Sequence, residues 1–122
     1  MSTPSAPKAL GPYSQGIAVG SFVFVSGQLG LIAETGEFVG ETISVQTQQA
    51  LLNIKSILRA ASSDLSHVVK TTVFLKNMSD FQQMNETYKK FFSQNGPVRS
   101  TIAVKELPKN ALCEIECIAI IP

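Results

Sequence analysis

The clearest hydrophobic pattern lies at Phe22–Ser26, Phe-Val-Phe-Val-Ser, a strand apolar on both faces. Ile17–Gly20 reads as a partner strand across the turn Gly20-Ser21. Gly27-Gln28 and Gly30 interrupt the strand's end, as at a bulge or a close approach of backbone. Thr35-Gly36 makes a turn, and Phe38-Val39 continue as a short strand. From Ser44 to Ala61 the period lengthens. Leu51, Ile54, Leu58 and Ala61 form one helical stripe, extended by Thr47 and Ala50, while Gln46, Gln49, Asn53, Lys55 and Arg59 face away or flank it.

Val68–Lys76 returns to a strand, with Val69, Thr71, Val73 and Leu75 on one face and Lys70, Thr72 and Phe74 on the other. A second helix begins near Ser79, which has capping-box spacing to Gln82. Phe81, Met84, Tyr88 and Phe91 or Phe92 are its apolar stripe, and Asn95-Gly96-Pro97 is its stop signal. Two strands follow, Arg99–Lys105 and Leu112–Ile121, split by Leu107-Pro108-Lys109-Asn110. The order ββ(β)αβαββ predicts one α+β domain over residues 1–122, with Met1–Leu10 a surface lead-in. Two helices can cover only one face of the sheet. The other face would expose Phe22, Phe24, Phe74, Ile118 and Ile120, and is expected to pack against copies of the chain.

Composition narrows the function. The chain has 122 residues, 44% hydrophobic and 16% charged, which is ample for one folded core. A net charge of +1 offers no electrostatic footprint for nucleic acid or an anionic membrane. With no basic-then-apolar leader at Met1–Pro7 and no run long enough to span a bilayer, the expected location is cytoplasmic. Cys113 and Cys117 are four apart in a strand, roughly 13 Å, too far for a disulfide, so reduced core thiols are expected.

Candidate chemistry concentrates near the second half of the chain. Arg99 and Thr101 share one strand face, and so do Glu114 and Glu116. A guanidinium and two carboxylates within apolar strands are costly unless paired or used. Two readings stand: a structural Arg–Glu ion pair, or a site in which a fixed guanidinium grips a small carboxylate while a glutamate moves a proton or orients water. Tyr13, in Gly11-Pro12-Tyr13-Ser14-Gln15-Gly16, can offer its hydroxyl to a ligand or simply anchor the loop. Ser26-Gly27 can bring backbone close to a ligand or be a plain bulge. His67 is the only histidine, and with Cys113 and Cys117 it makes no recognised metal spacing, so no metal is expected. Phosphate-binding glycine loops and nucleophile-elbow motifs are absent from the sequence.

Several of these segments together resemble the RidA/YjgF family of enamine/imine deaminases, in its archetypal RidA branch. They are Gly11–Gly16, Val25-Ser26-Gly27-Gln28, Val69–Leu75, Met84–Phe92, Pro97-Val98-Arg99-Ser100, Leu107-Pro108-Lys109 and Glu114–Ala119. The resemblance runs over nearly the whole chain from Lys8. It implies a chorismate-mutase-like fold, a mixed sheet with two helices on one face, assembled as a homotrimeric barrel with ligand sites between subunits. It also implies hydrolysis of 2-aminoacrylate and 2-aminocrotonate, as 2-iminopropanoate and 2-iminobutanoate, to 2-oxo acids and ammonia. Such intermediates escape from pyridoxal-phosphate dehydratases. No cofactor is implied.

By the same resemblance Arg99 would bind the substrate carboxylate, Glu114 would position the attacking water, and Tyr13 would face the site. Ser26, Gly27 and Asn85 would line or shape the pocket. Thr101 stands where the family often has cysteine; since the ligand contact there is attributed to the backbone N–H, the change should preserve activity. Whether Glu114 acts as base or only orients water stays open, and a mitochondrial form is compatible with the family. Two other functions fit the resemblance: a ribonuclease or translation inhibitor, and a non-catalytic trimeric module that holds small acids or acts as a chaperone. One histidine and near-neutral charge argue against the ribonuclease.

Overall fold

A computed structural model describes residues 1–122. It contains β1 (Gly16–Val19), β2 (Phe22–Gln28), α1 (Ile43–Ala60), β3 (Val68–Leu75), α2 (Phe81–Tyr88), β4 (Val98–Ala103) and β5 (Cys113–Ile120). The sheet order is β1-β2-β5-β3-β4; only β3 and β4 run parallel, and all other neighbours are antiparallel. Both helices lie on one face, so the fold is the expected α+β arrangement on a mixed five-stranded sheet. No helix is long and apolar enough to cross a membrane.

The core lies between this face and the helices. Val23, Val25, Val73, Leu75, Ile115 and Ala119 meet Leu51, Ile54, Ile57, Leu58 and Met84, all buried. Each valine, leucine, isoleucine or methionine side chain among these contributes about 1.5–3 kcal/mol on burial. The opposite face remains apolar and open: Phe22 is 46%, Phe24 43% and Ile120 38% exposed, as the strand parity requires. Cys113 and Cys117 are free and buried; burial raises their thiols to about 11 and about 12, so both stay protonated and inert.

Local details differ from the sequence pattern. Gln46 and Asn53 are buried on α1's inner side, because each has backbone to serve. Gln46 takes the Leu112 N–H and donates to the Gly40 carbonyl, while Asn53 donates to the carbonyls of Leu29 and Leu31. Helix α1 starts at Ile43, one residue before Ser44, because the Thr42 hydroxyl caps it by accepting the Val45 N–H at 3.2 Å. Val69 is exposed instead of inward, because a register shift between Val68 and Lys70 turns it out.

The second helix is shorter than its pattern. Ser79 forms no capping bond, since Met78–Asp80 is a single 3-10 turn. After Tyr88 the bonds tighten to Lys90 N–H→Thr87 and Phe91 N–H→Tyr88, which folds Phe92 back onto the Tyr88 ring at 4.8 Å. Phe38 makes only an isolated bridge to Leu31 instead of a strand. The bulge expected after Ser26 is present between Val25 and Gln28.

Candidate active site

The pairing registers divide the candidate residues between two sides of the sheet. Thr71 and Val73, on the helix side, pair with Arg99 and Thr101, whereas Phe74, on the open side, pairs with Glu114. Partners in a ladder share a face. Arg99 and Glu114 of one protomer therefore project from opposite faces, and the structural Arg–Glu pair considered from the sequence does not form. The ion pairs present are Arg59–Asp64 at 3.2 Å and Lys89–Glu86 at 3.6 Å, neither involving position 99.

The first group surrounds Glu114. With Tyr13, Gln15, Gly27, Gln28 and Pro108 it lines a cavity of about 50 Å³, room for a few water molecules. Gly27 leaves room for the Glu114 side chain in this position, because a Cβ would lie 2.7 Å from the Glu114 carboxyl carbon and 2.9 Å from its Cγ and would push the glutamate aside. Burial, and then repulsion from Glu116 two residues along, raise the Glu114 carboxyl above its ordinary value. Such a group suits proton transfer near neutrality better than a free glutamate does.

The Tyr13 loop is tied down from both ends. The Tyr13 hydroxyl accepts the Leu10 N–H at 3.0 Å, so this tyrosine both anchors its loop and borders the cavity. Ser26 spends its hydroxyl on the Ser14 carbonyl and its N–H on the Gln15 carbonyl at 2.9 Å, holding the loop against β2. The lead-in runs over the surface, with six of its ten residues exposed, and is tied down at Ala6 and Pro7, which are buried. The Gln15 side chain donates to the Thr3, Ala6 and Pro7 carbonyls and accepts the Thr3 N–H at 2.7 Å. Pro7–Leu10 thereby become one wall of the cavity. The signal for this was Gln15 itself, a long amide in a turn-rich segment beside many free carbonyls.

The second group surrounds Arg99 at the β4 edge. The half-buried guanidinium lies 4.7 Å from the Tyr88 ring centroid and 5.6 Å from that of Phe81. The Tyr88 hydroxyl in turn meets the Thr71 hydroxyl at 2.7 Å. Thr101, two residues along on the same face, has a buried hydroxyl without a partner. Asn85 is half-buried on α2, four residues after Phe81 and three before Tyr88, and so belongs to the same side of the helix. The sequence pattern marks Phe81 and Tyr88 only as core stripe; their place beside Arg99 depends on how α2 crosses β4, which spacing alone does not reveal.

Comparison with known proteins fits this geometry. Residues 3–121 match the family model described as Endoribonuclease L-PSP. The chain is 54% identical to Reactive Intermediate Deaminase A, chloroplastic, of Arabidopsis thaliana, over 98% of its own length and 64% of that protein's. It is 46% identical to 2-iminobutanoate/2-iminopropanoate deaminase of Dermatophagoides farinae, covering 99% of this chain and 94% of the relative. The crystal structure of RidA from an Antarctic Psychrobacter superposes with a TM-score of 0.94 at 42% identity, covering 98% of this chain and 96% of that one. The matched model, these relatives and the chorismate-mutase-like α+β architecture agree: the chain belongs to the RidA/YjgF family.

Proposed function

We propose that the protein hydrolyses 2-iminopropanoate and 2-iminobutanoate, with their enamine tautomers 2-aminoacrylate and 2-aminocrotonate, to 2-oxo acids and ammonia. The observation that carries this reading is the separation of Arg99 from every carboxylate of its own protomer. Its fork is free for an external acid, while Glu114, with a raised pKa, faces a cavity sized for water. Each half is incomplete alone, so the working site joins Arg99, Thr101 and Asn85 of one subunit to Tyr13, Gly27 and Glu114 of another. The exposed apolar face with Phe22 and Phe24 supports assembly through copies of the chain, which we take to be a homotrimer.

In this site Arg99 holds the substrate carboxylate through two charge-assisted hydrogen bonds. Glu114 accepts a proton from a water whose oxygen adds to the imine carbon, while the C=N electron pair moves to nitrogen and is protonated. Glu114 then returns its proton to the amine, and the carbinolamine forms its C=O bond, releasing its hydroxyl proton, as the C–N bond breaks and ammonia departs. The reaction needs no oxidant or reductant. Substrates of this kind are supplied by pyridoxal-phosphate dehydratases acting on serine and threonine, beside which the protein would work in the cytoplasm or an organelle.

The test feeds a threonine dehydratase reaction to the protein and measures release of 2-oxobutanoate and ammonia. Arg99→Ala loses the acceleration, and Arg99→Lys loses most of it because an ammonium cannot make the fork. Wild-type rates in Arg99→Ala would overturn the role of that residue. The family description as an endoribonuclease supplies a second reading. RNA cleavage that persists in Arg99→Ala and separates from the protein on further purification would assign it to a contaminant.

A further inference from the structure

We infer that Tyr88 and Phe81 form an aromatic plate that positions Arg99 for its anionic ligand, with Tyr88 fixed in turn by Thr71. This rests on the reading of Arg99 as the carboxylate receptor. A half-buried arginine needs something to hold it, and the usual partner is a carboxylate. Here the guanidinium carbon sits 4.7 Å from one ring centroid and 5.6 Å from another, within reach of the attraction between a cation and a ring face.

The difference matters chemically. A carboxylate partner would occupy the N–H fork and cancel the positive charge before any ligand arrived. A ring face supports the guanidinium while leaving in-plane N–H donors free for a ligand. Tyr88 is buried, and its hydroxyl meets the buried Thr71 hydroxyl at 2.7 Å. Thr71 pairs with Arg99 on the adjoining strand, so one rung of the ladder fixes both the arginine's backbone and the ring beside its side chain. Tyr88 is thus a positioning residue.

The experiment compares Tyr88→Leu, Tyr88→Phe and Arg99→Ala as purified full-length proteins. It measures titration with 2-oxobutanoate, kcat and KM on dehydratase-generated 2-iminobutanoate, and the Arg99 Nε–Hε resonance by NMR. Loss of the ring in Tyr88→Leu is expected to weaken binding and raise KM about tenfold, change kcat less than threefold, and shift the Arg99 resonance as the ring current disappears. Tyr88→Phe, which keeps the ring, is expected to restore binding to within threefold. Should Tyr88→Leu fail to fold, Phe81→Leu at the half-exposed ring replaces it, with about a threefold rise in KM expected.

If Arg99→Ala binds 2-oxobutanoate as the wild type does, the receptor reading itself fails. If Arg99→Ala loses binding while a folded Tyr88→Leu binds normally, or Phe81→Leu does where it replaces Tyr88→Leu, only the plate is refuted. Equal loss in Tyr88→Phe and Tyr88→Leu also refutes it, since the hydroxyl, and not the ring, would then be what counts.

Discussion

Gly27→Ala tests the Glu114 half-site without touching a charged group. The added Cβ would stand 2.7 Å from the Glu114 carboxyl carbon, whereas ordinary contact begins at 3.4 Å. The crowding atoms belong to a flexible side chain, with the carboxylate Oε2 closest of all, so the fold should survive and the carboxylate should swing aside by about 1 Å. A displacement near 1 Å in a reacting constellation costs up to roughly a hundredfold in rate. We expect kcat to fall between about tenfold and a hundredfold, equivalent to about 1.4–2.7 kcal/mol in the barrier. The midpoint of thermal unfolding should move only a few degrees. Steady-state hydrolysis of dehydratase-generated 2-iminobutanoate, with a melting curve on the same sample, provides both numbers. A natively melting variant with kcat within threefold of wild type would show that the position of Glu114 is irrelevant to turnover.

Other outcomes follow from the same geometry. Glu114 is raised by burial and by Glu116, so if its ionised form accepts the proton, the acid limb of kcat/KM should lie above that of a free glutamate and move down in Glu116→Gln; an unmoved limb would remove Glu114 from that role. The same shift makes the ionised carboxyl a burden on the fold. Its favourable contribution is complete below the unfolded value and is lost as pH rises through the raised one, so Glu114→Gln should stabilise the protein at pH 8 and lose that advantage below pH 4, as urea titrations would reveal. Asn53→Ala should cost about 2–4 kcal/mol in urea unfolding, since it orphans the carbonyls of Leu29 and Leu31 in the interior. In sedimentation, the native protein should run at about three times the 13.1 kDa chain mass, and Phe24→Asp on the open face should shift it toward monomer.

The strands and α1 could be read because their patterning is strong and local. Phe22–Ser26 alternates between a buried and an open apolar face, and the α1 stripe is pinned by leucines and isoleucines. The interior amides could not be read so, because polarity on a helix ordinarily means solvent. Only the tertiary path of the Leu29–Leu31 backbone makes Asn53 an inside residue. Arg99, Glu114, Tyr13 and Gly27 stood out for their chemistry and motif context, but their division between two faces depends on how three strands are ordered. That order is set by β5 inserting between β2 and β3, a long-range pairing with no local signature.

This insertion has a consequence for how the molecule comes together. The β1-β2 hairpin and the β3-α2-β4 unit share no ladder; each is completed only by hydrogen bonding to opposite edges of the same late segment. Until Cys113–Ile120 arrives, both leave a strand edge unsatisfied, so folding should be limited by one distant docking event and should proceed slowly for a chain of this size. A nascent polypeptide stalled before that segment would present two sticky half-sheets to chaperones rather than a partly built protein.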